Sequence, residues 1–206
     1  MQDPASARTS APVGNANDKY GSANPVVQRL MRGFTAELDE LLALAAPVSV
    51  LDVGCGEGVL TEQWAERFER VVGVDLEHPA LRREWEQRRR SNLEFRAADA
   101  ASLPFAENEF DLVCGVEVLE HLPDPSAALA DMARVARRWV LVSTPQEPLW
   151  RILNVLRGAH WRSLGNTPGH LNHWSAGDLR AFVAQVGSVV ATRSPTPWTM
   201  VLVEVS

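Results

Sequence analysis

Three glycines at two-residue spacing follow a short apolar run and mark the predicted ligand-contacting part of this sequence. Residues 48–53 are rich in valine and leucine, and Gly54, Gly56 and Gly58 come directly after them. This pattern predicts a buried strand that enters a tight loop. Because glycine has no Cβ, a ligand can lie against the loop backbone, and the next helix directs its free N–H groups to the same place. Asp52 would then lie at the carboxyl edge of an open α/β sheet, where such sheets bind ligands.

Two further acids follow later predicted strands. Asp75 ends the apolar run 70–75, and Asp99 follows the run 93–97. In a βαβ unit, the tip of the second strand lies beside the loop that follows the first strand. We therefore expect the Asp75 carboxylate beside the glycine loop, and Asp99 in the turn that follows the third predicted strand.

Three histidines are candidates for acid–base chemistry, because imidazole is the side chain best suited to proton transfer near neutral pH. His121 follows the predicted strand 110–116, and His170 and His173 precede the last predicted helix. For each of them the alternative is a hydrogen-bonded packing residue. On this basis all three are predicted to be catalytic residues on the acceptor side of the site.

The elements that must position these residues alternate along the chain, which favours a parallel, doubly wound sheet. The fold class predicted is α/β, with a Rossmann-like, seven-stranded, mostly parallel sheet whose last strand is antiparallel. The predicted strands are 48–53, 70–75, 93–97, 110–116, 139–143, 188–193 and 199–205. The predicted helices are 25–45, 60–68, 78–90, 126–135 and a last helix from the Ser175 cap to Gln185.

The chain is predicted to form a single domain over residues 24–206, preceded by a mostly disordered segment, 1–23. Residues 146–174 depart from the strand–helix rhythm and are predicted to be a lid or acceptor-binding insertion. Its stretch 149–156 is apolar except for an arginine and an asparagine, which is typical of a lid helix. The alternative is a helix that rests on anionic lipid or takes a lipid-linked acceptor.

Composition excludes several classes of protein. The 206 residues carry a formal net charge of -6, which argues against nucleic-acid binding. Cys55 and Cys114 have no C-x-x-C or Cys/His cluster around them, so we expect no metal site and a reduced, cytoplasmic setting. No apolar run approaches the roughly 20 residues that span a bilayer.

Four motifs, in order, carry a resemblance to a known family. They are L-D-V-G-C-G-E-G at 51–58, V-V-G-V-D at 71–75, A-A-D-A-A at 97–101 and F-D-L-V-C-G-V-E-V-L-E-H-L-P-D-P at 110–125. Over residues 48–145 the chain resembles the class I S-adenosylmethionine-dependent methyltransferases, and within them the type 11 group. The resemblance implies S-adenosylmethionine as cofactor and S-adenosylhomocysteine as its product.

The resemblance also implies residue roles toward the nucleoside of the cofactor. Asp75 would accept hydrogen bonds from both ribose hydroxyls, and Leu76 would pack on the adenine face. Asp99 would accept from the adenine amine, with the Ala100 N–H donating to a ring nitrogen.

Toward the methionine part of the cofactor, the loop residues Gly54, Cys55 and Gly56 would provide the bordering backbone. Asp52 would orient the loop or the ammonium group. Val116 would present its carbonyl oxygen to the ammonium group.

Two alternatives stay open at this point. An NAD(P)-binding Rossmann oxidoreductase is less well supported, because Val59 stands where the third glycine of its fingerprint would fall. A module that binds S-adenosylmethionine without transferring the methyl group has the same cofactor motifs. The predicted acceptor is a small molecule, natural product or sugar, with oxygen favoured over nitrogen and carbon, and the oligomeric state is open.

Overall fold

The computed structural model describes residues 23–149 and 169–206. The described helices are α1 (Pro25–Ala45), α2 (Val59–Trp64), α3 (Pro79–Gln87), α4 (Pro125–Val135) and α5 (Ala176–Val183). The strands are β1 (Ser49–Val53), β2 (Arg70–Asp75), β3 (Leu93–Ala97), β4 (Phe110–Val116), β5 (Ala136–Pro145), β6 (Gly187–Arg193) and β7 (Trp198–Val205). A short 3₁₀ turn, Leu119–His121, follows β4.

All seven strands form one sheet in the order β3-β2-β1-β4-β5-β7-β6. The pairs among the first five strands are parallel, whereas β7 runs antiparallel to both β5 and β6. The predicted fold class is therefore confirmed. Since β1 lies between β2 and β4, the loops after these three strands meet at one edge of the sheet.

Apolar side chains cover both faces of the sheet, because successive residues of a strand point to opposite faces. On one face, Val50 and Leu112 pack with α1 residues such as Phe34. On the other face, Leu51 and Val113 belong to a cluster that includes the buried residues of α4 and α5. Both faces of β1 are buried, which matches its nearly continuous apolar sequence.

The start of β5 differs from the prediction. The strand begins at Ala136, directly after α4, rather than at Trp139. Arg137 and Arg138 are exposed and pair with Asp111 and Glu204. Charged side chains at the surface end of the strand removed the apolar signal on which the prediction relied.

The second helix is also shorter than predicted, since α2 ends at Trp64 rather than Phe68. The Asn92 side chain donates hydrogen bonds to the carbonyl oxygens of Ala65 (2.8 Å) and Phe68 (2.9 Å). These bonds satisfy carbonyl groups at the helix end, so the chain turns early toward β2.

Two of the predicted regions lie largely outside the described residues. They are the N-terminal segment 1–23, of which residue 23 is described, and the insertion 146–174, of which 146–149 and 169–174 are described. Within the described parts of the chain, every helix is too short or too polar to cross a membrane.

Candidate active site

The glycine loop between β1 and α2 has the backbone conformation that its sequence predicts. Gly54, Gly56 and Gly58 have φ values of 74°, 54° and 80°, in the left-handed region that residues with a Cβ rarely adopt. The N–H groups of Gly54 and Cys55 donate to the carbonyl oxygen of Val74, at 2.7 and 3.0 Å. The loop is thereby fixed to the end of β2.

Asp75 also holds the loop, through its carboxylate. The Gly56 N–H donates to Asp75 Oδ2 (2.8 Å), and the Leu76 N–H donates to Asp75 Oδ1 (2.7 Å). From the other side, Trp85 Nε1 donates to the Gly56 carbonyl oxygen at 2.8 Å. The Trp85 ring stacks on Phe95, with centroids 5.4 Å apart and planes inclined by 5°. The arginine-rich composition of α3 concealed this loop-supporting tryptophan from the sequence prediction.

Asp52 lies beneath the loop and is 3% exposed. Thr61 Oγ1, on α2, donates to Asp52 Oδ2 at 2.6 Å. Burial raises the pKa of Asp52 to about 7, the Thr61 hydrogen bond opposes the rise, and the nearby Asp75 adds to it. The contact with Thr61 was not predicted, because threonine on a short helix carries no distinctive signal.

The charges around the loop favour a cationic ligand. Burial raises the pKa of Asp75, although the Gly56 and Leu76 N–H groups oppose the shift. Burial also raises the pKa of the Cys55 thiol well above its usual value, with the carboxylates of Asp52 and Asp75 contributing. A thiol held in its protonated form is a poor nucleophile. The site therefore offers two neighbouring acids whose ionised forms a positively charged group would stabilise.

Asp99 lies at the same sheet edge as Asp75. The Ala98 N–H donates to the Asp75 carbonyl oxygen (2.8 Å), which places the turn after β3 beside the end of β2. Asp99 is exposed, and its Oδ1 accepts from the Ala101 N–H at 2.9 Å. Leu76 is also on the surface, with 54% of its area exposed. Asp75, Leu76 and Asp99 therefore lie at the same edge of the sheet as the glycine loop.

The chain after β4 turns around the glycine loop. In the parallel pairing of β1 with β4, Val53 lies opposite Gly115. Val116 therefore lies at the end of β4, beside the start of the loop. A Cβ placed on Gly54 would overlap the Val118 side chain, which shows how closely the two segments pack.

Glu117, which lies between Val116 and Val118, has a φ of 61°. Its carboxylate accepts from Trp198 Nε1 at 2.8 Å, and its N–H donates to the Ser143 carbonyl oxygen at 3.1 Å. These bonds join the turn after β4 to β5 and β7. The sequence prediction treated Glu117 only as a part of a family motif and assigned it no contact.

The structure brings the three predicted histidines together. The ring centroids of His121 and His170 are 4.9 Å apart, and those of His170 and His173 are 6.5 Å apart. His121 Nδ1 lies 2.9 Å from the Gly169 carbonyl oxygen. His121 and His170 are partly buried, whereas His173 is exposed.

Asn172 joins the histidine segment to the turn after β4. Its side-chain amide donates to the carbonyl oxygens of Leu119 (3.1 Å) and Leu122 (2.7 Å). The backbone N–H groups of Leu171 and Asn172 donate to the Glu120 carbonyl oxygen, at 2.7 and 3.1 Å. Sequence reasoning missed Asn172, since its partners are about fifty residues away along the chain.

The same segment also contacts the end of β5. The Glu147 N–H donates to the Trp174 carbonyl oxygen at 3.0 Å, and Gln146 pairs with Trp174 as an isolated bridge. The described ends of the predicted insertion therefore lie at the carboxyl edge of the sheet, on the side of the histidines.

One more grouping emerges from this arrangement. Glu120, His121 and His170 each offer one potential metal ligand, and these atoms lie within 4.8 Å of one another. The spacing of residues along the sequence did not predict this group of possible metal ligands, because its members come from two distant segments.

The fold and the residues at this edge of the sheet define a class of ligand-binding protein. A glycine loop after β1, an acid at the end of β2 and a switch in strand order between β1 and β4 are typical of nucleotide-type ligand sites on doubly wound sheets.

Comparison with known proteins then shows the family. Residues 51–140 match the family model described as "Methyltransferase domain". The chain is 34% identical over 154 residues to a ubiquinone biosynthesis O-methyltransferase of Pseudomonas fluorescens, covering 67% of this chain and 66% of that protein. It is 42% identical over 103 residues to the protein of the same name from Hahella chejuensis, covering 48% and 43%. The chain thus spans about two thirds or less of the length of these relatives.

Solved structures agree on the fold. Magnesium protoporphyrin IX methyltransferase from Synechocystis, with bound SAH, superposes with a TM-score of 0.66 at 22% identity, covering 90% of each chain. The N-methyltransferase NodS from Bradyrhizobium japonicum gives a TM-score of 0.65 at 19% identity, covering 86% of this chain and 97% of that one.

This chain belongs to the class I S-adenosylmethionine-dependent methyltransferases, in the type 11 group. S-adenosylmethionine is therefore its cofactor. The residues present fit that group: each oxygen of Asp75 accepts one backbone N–H, and a carboxylate oxygen has a second lone pair that a ribose hydroxyl can use. The acids around the loop also suit the positive charges of the sulfonium and ammonium groups.

Proposed function

We propose that this protein transfers a methyl group from S-adenosylmethionine to a hydroxyl oxygen of a small molecule. The observation that carries the proposal is the group of three imidazoles at the same sheet edge as the glycine loop. Methylation of a hydroxyl requires a proton acceptor, which imidazole supplies. The relatives named O-methyltransferases support oxygen as the accepting atom.

In this proposal, Asp75 accepts hydrogen bonds from the ribose hydroxyls, and Asp99 accepts from the adenine amine. Leu76, which is exposed, packs on the adenine face. The Ala100 N–H donates to a ring nitrogen of the adenine. These four residues follow β2 and β3 at the carboxyl edge of the sheet.

The methionine part of the cofactor lies along the backbone of Gly54, Cys55 and Gly56. Asp52, beneath this loop, supplies negative charge toward the ammonium group, and the Val116 carbonyl oxygen accepts a hydrogen bond from it. Because the loop is already fixed to Val74 and Asp75, little backbone freedom is lost on binding.

The cofactor supplies an electrophilic methyl group on a good leaving group, so the protein's tasks are alignment, exclusion of water and removal of one proton. Alignment alone can lower a barrier by about 7–11 kcal/mol. As the bond from the acceptor oxygen to the methyl carbon formed and the sulfur–methyl bond broke, releasing S-adenosylhomocysteine, the hydroxyl proton would pass to an imidazole. His173 is the residue that we favour for this role, because its side chain is exposed at this edge.

We further propose that residues 24–206 form one methyltransferase domain and that residues 146–174 cover the acceptor. The acceptor is a small molecule rather than a nucleic acid, and the protein acts in the cytoplasm. If the acceptor is instead lipid-linked, the protein will float with anionic liposomes at low salt. Absence of flotation will exclude a lipid-linked acceptor.

The first experiment is calorimetry with S-adenosylmethionine, S-adenosylhomocysteine and NAD measured side by side. We expect both S-adenosyl compounds to bind and NAD not to bind. Tight binding of NAD alone would overturn the proposal in favour of an oxidoreductase.

The second experiment measures release of S-adenosylhomocysteine with pairs of small acceptors that differ only in carrying a hydroxyl or an amine. We expect turnover with hydroxyl acceptors. Turnover with the amines alone would contradict oxygen methylation, and binding without any turnover would favour a non-catalytic module.

The third experiment tests the proton acceptor. His173→Ala should leave cofactor affinity unchanged and lower kcat about 100-fold or more, the usual contribution of a general base. His78→Asn is the matched control, because asparagine can keep the helix cap that His78 Nδ1 provides to the Ala80 N–H. Equal losses in the two variants would refute the role of His173.

A further inference from the structure

We propose that the groove between α1 and the β6–β7 turn, residues 194–197, binds a small organic monocarboxylate with an apolar body. The groove is lined by Val26, Leu30 and Gly33 of α1 and by Pro195 of the turn, and its volume is about 270 Å³. Residues three and four apart share one face of a helix, so the α1 residues form one continuous wall. Val26 is 66% exposed, so an apolar group in the groove would remove hydrocarbon surface from water. The volume lies just below the roughly 300–1,000 Å³ of ordinary ligand pockets, which limits the occupant to a small molecule.

Gly33 leaves the groove open. It lies in the interior of α1, where glycine is less favourable than alanine. A Cβ built on Gly33 would meet no atom of the described chain within 4 Å, so packing does not require a glycine here. Gly58 and Gly73 are different, because a Cβ on either would overlap the Phe95 ring. A side chain at position 33 would extend into the groove, and its absence therefore serves the groove rather than the packing of the fold.

The groove carries a positive charge that has no partner in the described parts of the chain. Arg29 lines the groove, is exposed and forms no ion pair there. Glu37 also lines the groove, but its carboxylate lies 3.1 Å from Arg193 Nε, which already balances its charge. Arg193 also lies 3.4 Å from Glu40, which is farther along α1 and outside the groove lining. A guanidinium binds a carboxylate through two parallel N–H bonds, and a single guanidinium favours a monocarboxylate over a phosphate dianion.

The groove lies beside the cofactor edge of the sheet but outside the cofactor loop. β7 begins at Trp198, opposite Pro145 at the end of β5, so the β6–β7 turn is at the carboxyl edge. Phe34, next to Gly33, packs edge-on against Trp198, with ring centroids 5.0 Å apart. Trp198 Nε1 in turn donates to Glu117, in the turn after β4. One layer of aromatic side chains therefore separates the groove from the candidate active site, and the groove can be occupied whether or not the protein methylates a hydroxyl.

The test adds naphthoate, or its uncharged amide naphthamide, to the full chain and follows binding by calorimetry and by backbone amide NMR spectra. The two probes have nearly the same shape and differ in charge. We expect saturable binding of naphthoate with a Kd of roughly 1 mM or below, an ordinary affinity for a ligand of this size. Naphthamide should bind about fivefold more weakly, the upper range for an exposed ion pair. The amide signals of Gly33 and Thr196, which both line the groove, should shift with naphthoate.

Two pairs of variants locate the site. Gly33→Leu should abolish binding of both probes while the melting temperature stays equal or rises, because leucine favours a helix. Gly177→Leu is its control, since Gly177 is exposed on α5 and a Cβ there would meet only the Ser175 hydroxyl oxygen, at 3.8 Å. Arg29→Gln should lower the affinity for naphthoate to that for naphthamide. Arg32→Gln makes the same change of charge at an exposed residue outside the groove lining, and it should bind both probes like the wild type.

Several results would overturn the proposal. They are no binding of naphthoate, equal binding of naphthoate and naphthamide by the wild type, and binding of naphthoate by folded Gly33→Leu. Displacement of naphthoate by S-adenosylhomocysteine would also overturn it, because the probe would then occupy the cofactor site.

Two further results would assign the groove to another occupant and overturn the proposal equally. A dimer in sedimentation that Gly33→Leu dissociates would assign the groove to a second copy of the chain. A Gly33 amide signal that shifts on Tyr20→Ala without ligand would assign the groove to the segment 1–22.

Discussion

Replacement of Asp75 by asparagine separates cofactor binding from folding at a single residue. Both Asp75 oxygens already accept backbone N–H groups, from Gly56 and Leu76. Asparagine has nearly the same shape and retains one acceptor oxygen, which can still hold the loop through Gly56. Asparagine lacks the negative charge of the carboxylate, and it lacks the second acceptor oxygen, which the ribose hydroxyls would also use.

The expected effects follow from these contacts. A hydrogen bond to a charged group contributes about 1.5–3 kcal/mol, and Asp75→Asn weakens two of them without abolishing both, so we expect a loss of about 2–4 kcal/mol. That corresponds to a rise in Kd of roughly 30- to 1000-fold. Burial raises the pKa of Asp75, which means that the free protein disfavours the ionised carboxylate. A neutral side chain should therefore leave the melting temperature unchanged or raise it slightly.

The assay is calorimetric titration with S-adenosylhomocysteine, with thermal unfolding of the same preparations. Asp75→Ala is the comparison, because it also removes the hydrogen bond to Gly56 and should lower both affinity and melting temperature. An Asp75→Asn protein that binds within threefold of the wild type would refute the assignment of this carboxylate to the ribose. A large fall in the melting temperature of the Asp75→Asn variant would refute the inference that burial of the ionised Asp75 carboxylate is unfavourable in the free protein.

Three further predictions concern the residues around the loop. The pKa of Asp52 is raised from 3.8 to about 7 in the folded protein. The stabilising contribution of the protonated Asp52 is therefore complete below about pH 4 and is lost as the pH rises to 7. In urea unfolding, the free energy of unfolding of the wild type, relative to that of Asp52→Asn, should fall by up to about 4 kcal/mol over that range. Trp85→Phe keeps a ring to stack on Phe95 but removes the N–H bound to Gly56, so cofactor Kd should rise about fivefold, for roughly 1 kcal/mol; an unchanged Kd would show that the loop holds its shape without this bond. Asp99→Ala, at an exposed residue, should raise Kd about fivefold with no change in melting temperature, and a loss of stability instead would identify Asp99 as a turn residue alone.

The elements and the cofactor loop were predictable because their signals are local. Continuous apolar runs such as 112–116 are typical of a strand in a sheet buried on both faces, and the positive φ values of 54–80° in the loop require glycines that are visible in the sequence. The edge at which Asp75 meets the glycine loop then follows from the parallel strands of the βαβ unit, whose carboxyl ends lie on the same side of the sheet.

The contacts that shape the acceptor side were not predictable in the same way. Asn172 and Glu120 are joined through backbone atoms, which carry no residue-specific signal. Trp85 supports the loop from a helix whose composition is otherwise that of a solvated surface. The grouping of Glu120 with His170 depends on where residues 169–174 return to the sheet, and no periodic pattern encodes that return.

The junction of α4 with β5 determines where the chain can tolerate added length. Val135 and Ala136 are both fully buried, and no connecting residue separates the helix from the strand. Arg134, one residue earlier, donates to the carbonyl oxygens of Leu103 and Phe105, at 3.0 and 2.8 Å. A fusion or circular permutation opened here would break that anchor and displace β5 from its place between β4 and β7. The amino edge of the sheet is closed to insertion at this junction, and chain length can vary instead at the opposite edge, which carries the glycine loop.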